Sequence, residues 1–214
     1  MPTLITQKKW NVLSPDPHGQ RLLSDALGIH PIIAQLLVNR GIENPAAAQN
    51  FLHLRDQQLH DPFLLRDMDR AVERIRLAQS RAETVFIFGD YDVDGITASV
   101  VLRQVLNRFG IKAVNHIPDR MDDGYGLNDQ VVDLARQNHA ELVIAVDCGI
   151  TAVREAALLK SAGIDLIIID HHEPVEGSIP DAVAVIDPKR SDCSYPFKDL
   201  AAVGLAAKLA QAFW

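Results

Sequence analysis

The chain is poor in cysteine, has no long apolar stretch and carries no excess of positive charge, and each shortage excludes something. Of its 214 residues only Cys148 and Cys193 are cysteines. Two thiols in a chain of this length do not make a disulfide scaffold, and they suit a reducing cytoplasm. No apolar run reaches the roughly 18 residues of a membrane span, so no membrane partner is expected. The opening MPTLITQKKWNVLS lacks the apolar core and small-residue cleavage site of a secretory leader. Internal repeats, low-complexity tracts and long Gly/Ser linkers are also missing. A net charge of −7 speaks against a generic basic coat for nucleic acid. What is present, 48% hydrophobic and 23% charged residues, excludes disorder, collagen and coiled coil. At about 150 residues per domain, the length allows one medium domain or a smaller one with a helical preface.

The charge is unevenly placed. Residues 1–84 hold ten Lys/Arg against nine Asp/Glu, whereas residues 85–214 hold eleven against nineteen. The pattern of the two parts differs as well. The first reads as helices: a stop at Gly28, a start at Pro31 closing near Gly41, and an Asn44 cap followed by Pro45. Over 67–82, Met68, Ala71, Val72, Ile75 and Ala78 recur at three or four residues, with arginines on the other face. Residues 1–83 are therefore expected to form a small helical region without catalytic residues.

From Thr84 onward, short continuous apolar runs alternate with helical patterns. The runs are 85–88, 142–146, 166–169 and 183–186, with a weaker one over 112–117; the helical patterns are 96–109, 129–138 and 152–162. Continuous Val/Ile/Leu runs suit strands buried on both faces. The expected class is α/β, with a doubly wound parallel five-stranded sheet over 84–214. Residues 200–214 read as a helix that is apolar nearly all round, hence buried. Because it stops abruptly at Trp214, the domain is expected to be truncated at its C-terminal end.

Four of the apolar runs end in aspartate: Asp90, with Asp92 and Asp94 following; Asp147 before Cys148-Gly149; Asp170 before His171-His172; and Asp187 before Pro188-Lys189-Arg190. In an open parallel sheet these ends share one edge, where ligands bind. A single strand-end Asp is ordinarily a helix cap or a turn residue. Recurrence at four ends is different. Six carboxylates cannot all ionise in a small crevice, so they call for protons or divalent cations, and the adjacent histidines favour cations. Oxygen and imidazole donors suit Mn²⁺, Mg²⁺ or Fe²⁺. Two such ions about 3.5–4 Å apart would clamp a phosphoester for in-line attack, with Asp147 as the bridging carboxylate. Residues 90–95 also match the opening of a calcium loop, but its twelfth position is Val101 and a strand, not a helix, precedes it. Around the cluster, the helix start at Gly95 with Thr97, the loop residues Arg120 and Tyr125, and the pair Lys189 and Arg190 are candidate substrate contacts, each equally readable as an ordinary surface or turn residue.

The ordered set Asp90–Gly95 (DYDVDG), Asp147-Cys148-Gly149 and Asp170-His171-His172 resembles the first three motifs of the DHH phosphoesterase superfamily. Residues 89–98, 123–127 and 202–206 and the helical preface are similar to the N-terminal part of RecJ-type single-strand-specific 5′→3′ exonucleases. The resemblance implies metal-dependent phosphodiester hydrolysis in DNA repair and recombination, with Mn²⁺ or Mg²⁺ and two ions expected. It implies single-stranded DNA as substrate, with single-strand-binding protein and a helicase as partners. Carried over, Asp92, Asp94, Asp147 and His171 are metal ligands, and Asp90 is another where relatives carry a His at the position of Phe88. His172 faces the scissile phosphate and Asp170 orients the histidines. The family's fourth motif and its further domains are not found, so the isolated chain is expected to be weakly active or inactive. Two alternatives remain: a DHH phosphoesterase of short oligonucleotides, cyclic dinucleotides or pyrophosphate, and a non-catalytic single-strand-binding scaffold.

Overall fold

In a computed structural model the chain is described for residues 11–53, 59–119 and 126–214. It divides into two compact units, one up to Leu59 and one from His60 on. In the first, helices α1 (Pro17–Leu27), α2 (Pro31–Val38) and α3 (Pro45–Leu52) bury Leu23, Ala34, Leu37 and Ala48 against one another. All three start with proline, after side-chain caps from Asp16, His30 and Asn44.

The second unit is a three-layer α/β fold. Its strands β1 (Thr84–Phe88), β2 (Lys112–His116), β3 (Ala140–Val146), β4 (Asp165–Ile169) and β5 (Ala184–Ile186) form one sheet in the order β2-β1-β3-β4-β5. Every pairing is parallel. Side chains alternate between the faces. Ile87, Ile144, Val146, Ile167, Ile169 and Ile186 pack against helices α4 (Met68–Arg81), α5 (Val93–Arg108) and α8 (Ala202–Phe213). Phe86, Phe88, Val143, Ala145 and Ile168 pack against α6 (Val131–Gln137) and α7 (Val153–Ser161).

The compact unit that holds the sheet reaches back beyond residue 84 to His60. Met68, Ala71, Val72, Ile75 and Ala78 of α4 are buried in the same core as β1 and β4, so α4 belongs to the sheet unit and the division falls at residue 59. Buried Arg74 fastens it further, meeting Glu83 and Asp165. Helix α5 also starts earlier than its apolar pattern suggests, at Val93 rather than Ile96, because Asp92 caps it by accepting from the Asp94 and Gly95 amides. Among the described residues no single helix is long and apolar enough to cross a membrane.

The chain leaves β1 toward β2 on one side of the sheet and reaches β3 on the other, so the strand order reverses between β1 and β3. A crevice opens at such a point, outside the strands' carboxyl ends. Gly95 lets α5 close on it: a Cβ there would lie 2.5 Å from the Asp90 carbonyl oxygen and 2.6 Å from its amide nitrogen. Backbone atoms cannot swing aside, so Gly95→Ala should cost at least about 1–3 kcal/mol. Chemical denaturation reads this as a lower midpoint at unchanged slope.

Candidate metal centre

Asp147 follows central β3 with φ of +63°, a left-handed conformation that few residues other than glycine adopt. Its amide donates to Ile169 O, and Gly149 follows at φ +108°. The turn holds the Asp147 carboxylate buried, with only the Asp92 carboxyl and the His171 ring, among the described residues, as polar side-chain neighbours at hydrogen-bonding range. Burial pushes its pKa up to about 8, helped by the nearby charges of Asp94 and Asp92.

Two groups of potential ligands converge here, and they share Asp147. Asp90, Asp92 and Asp147 each offer an oxygen, all within 4.8 Å of one another; Asp147, His171 and His172 form a second such group. Asp90 is buried with Oδ1 unpartnered, and that burial raises its pKa. Asp92 is exposed, and the Gly95 amide holds its carboxyl below the usual range. His171 Nε2 lies 3.2 Å from Asp147 Oδ1 and 3.5 Å from Asp94 Oδ2. A buried carboxylate left without donors is costly, and a divalent cation is the partner that matches several oxygens and imidazoles at once. The donor set thus fits Mn²⁺ or Mg²⁺.

Asp170 is saturated instead. It accepts from the Ile150, His171 and His172 amides and from the His172 ring, whose Nδ1 is 2.7 Å away. Burial works to raise its pKa, but the bonds from His172 and Ile150 outweigh it and keep the carboxyl ionised. In return that bond raises His172 to about 9.

Other sequence-based candidates fall differently. Asp94 touches the cluster through His171, yet its oxygens also accept from the Ala202 and Val203 amides, capping α8. Thr97 is exposed, and its hydroxyl donates to carbonyls of its own helix, Val93 O and Asp94 O. The α5 amides suggested for an anion are taken by Asp92. Arg190 is corrected. It is buried, bonded to Asp67, Asp192 and Val185 O, and ties β5 to the start of α4 rather than gripping substrate. Lys189 remains at the rim, 3.1 Å from Glu173. Arg120 and Tyr125 lie outside the described residues. Asp187, the fourth of the strand-end aspartates, is fully buried; one oxygen accepts the Lys189 amide, the other has no partner among the described residues, and burial lifts it to about 7.

A DHH family, N-terminal domain model matches residues 84–213. The single-stranded-DNA-specific exonuclease RecJ of Bacillus subtilis is 42% identical over 209 residues, which are 98% of this chain and 26% of the relative. RecJ of Salmonella typhimurium is 34% identical over 179 residues, covering 82% of this chain and 30% of the relative. The chain thus spans between a quarter and a third of these relatives. A crystal structure of exonuclease RecJ bound to manganese aligns with a TM-score of 0.61 at 29% identity, over 70% of this chain and 37% of that one. RecJ of Thermus thermophilus in complex with Mn²⁺ aligns at 0.72 and 24% identity, over 96% and 28%, which speaks to the fold.

Two predictions come from this geometry. Folded Asp147 keeps its proton up to about pH 8, whereas the unfolded chain releases it near 3.8. Its stabilising contribution is complete below that lower value and is lost as pH rises through the upper one. The metal-free chain should therefore melt lower at pH 8 than at pH 5. At pH 8, Mn²⁺ near a hundred times its Kd should raise Tm by roughly 5–10 °C. Asp147→Asn, compatible with the left-handed backbone, should shrink both effects in calorimetry. Separately, Arg190→Ala should cost about 1.5–3 kcal/mol by removing a charged hydrogen bond to Asp67, which keeps Arg66, Arg70 and the Val185 amide, while Mn²⁺ affinity measured by titration stays unchanged.

Proposed function

We propose, because this chain belongs to the DHH family, that it is the metal-holding part of a single-strand-specific 5′→3′ exonuclease. The observation that carries this reading is the pair of ligand groups sharing the buried Asp147 carboxylate at the strand-order reversal. Asp90, Asp92, Asp147 and His171 are the residues proposed to hold Mn²⁺ or Mg²⁺, with Asp94 beside them. Bound there, such ions supply Lewis acidity toward a phosphodiester and bring the ionisation of water near neutral pH.

The chain's own groups do the rest. Asp170 fixes the His172 ring through Nδ1 and favours its protonated form. The ring is partly exposed beside the ligand groups, where an imidazole held by a carboxylate can stabilise charge that develops on a phosphate. The geometry also makes His172 a member of the second ligand group, a role that competes with phosphate contact. Lys189 at the rim is a further cation for the strand. Single-stranded DNA is the substrate on this reading. A helicase and single-strand-binding protein, which expose and coat it, are the partners it calls for, and the cytoplasm is the compartment.

The test gives the protein carrying this sequence Mn²⁺ with an end-labelled single strand, a duplex or a dinucleotide. Mononucleotide release from the single strand should be at least tenfold faster than from the duplex. Asp147→Ala should reduce it by more than the roughly 10–100-fold typical of losing a supporting partner. Faster turnover of the dinucleotide would assign the site to small phosphodiesters instead.

A further inference from the structure

We infer that the cleft between Leu127 and the start of α7 seats the nucleoside joined to the scissile phosphate, an inference that rests on the phosphodiesterase reading. The cleft encloses about 270 Å³ and has His172 in its wall. His172 also belongs to the ligand group with Asp147, so cleft and metal centre adjoin across one imidazole.

The walls decide what enters. Leu127, Cys148, Ile150 and Ala152 present apolar surface, and the half-buried Glu155 carboxylate stands at the rim. Three backbone amides of this turn are turned inward: Ile150 donates to Asp170 Oδ2, Ala152 to Gly149 O and Val153 to Thr151 O. A phosphate seated among these apolar side chains would face the Asp170 and Glu155 carboxylates, and like charges oppose it there. A neutral base and sugar suit the same walls. Apolar side chains cover the base, and Glu155 accepts a hydrogen from an amino or hydroxyl group. The volume lies just under the roughly 300–1,000 Å³ of pockets for larger ligands, which limits the cleft to one nucleoside. His172 therefore stands between two compartments: phosphate and cations toward Asp147, the nucleoside toward Ala152.

Calorimetric titration in Mg²⁺ tests this with two ligands, deoxyadenosine monophosphate and inorganic phosphate. The nucleotide should bind at least tenfold more tightly to the wild-type chain. In Glu155→Trp, whose indole fills the cleft from the rim, the two affinities should fall within about twofold of each other. Thr151→Trp, at an exposed position lining the same cleft, does the same should Glu155→Trp fail to fold. Equal affinities in the wild type, or a preference that survives both fillings, would overturn the assignment. The Mn²⁺-induced rise in Tm is read alongside: its absence in the wild type counts against the metal centre, whereas equal affinities with that rise intact count against the nucleoside cleft alone.

Discussion

Mutual repulsion among carboxylates at the carboxyl edge of a parallel sheet is the constraint that organises this molecule. Parallel strands with both faces covered bring their ends to one place, and four of these ends carry aspartate. Burial makes the repulsion worse, because a dielectric lower than water strengthens it. The fold manages the problem by sorting the acids. Asp170 is given donors and stays ionised, while Asp147, Asp90 and Asp187 each keep at least one oxygen with none. A site of this kind sacrifices stability without a cation, which is how a scaffold favours the loaded state.

The sorting explains why similar residues have unlike roles. Asp92 and Asp94 are two positions apart, at the cap and in the first turn of α5. One caps the helix it precedes, and the other caps a helix more than a hundred residues away, while both remain beside Asp147. Asp170 and Asp187 end neighbouring strands and are both buried, but only Asp170 has its charge matched by an imidazole. Donor supply, rather than residue type, separates the carboxylates fit for a cation from those that fasten the structure.

Much of this was legible before any coordinates. Continuous apolar runs disclosed buried parallel strands, and their common ending in Asp disclosed the edge where chemistry collects. What stayed hidden depended on partners distant in sequence. Nothing local marks Arg190 as the bond between β5 and the start of α4, because Asp67 lies 123 residues away. The α4 pattern announced an amphipathic helix but not which core would receive its apolar face. Likewise, Glu155 looks like an ordinary first-turn acid of α7 until the turn ahead of that helix is seen to wall a cleft. The left-handed backbone at Asp147 had one faint sign, the following Cys-Gly, as a glycine close behind a strand end often marks a sharp reversal.

The Asp94 cap has a mechanical consequence. Helix α8 supplies no side chain of its own to its first amides, and a carboxylate from the cation cluster fills that role. The start of the last helix and the chemistry of the strand ends are thus two readings of one joint. Fraying α8 would release an acid into the crevice and alter its charge, and a change in what Asp94 holds would be felt along α8 as tightening or slack. Because such coupling is reciprocal, α8 is both a wall of the core and a lever on the site.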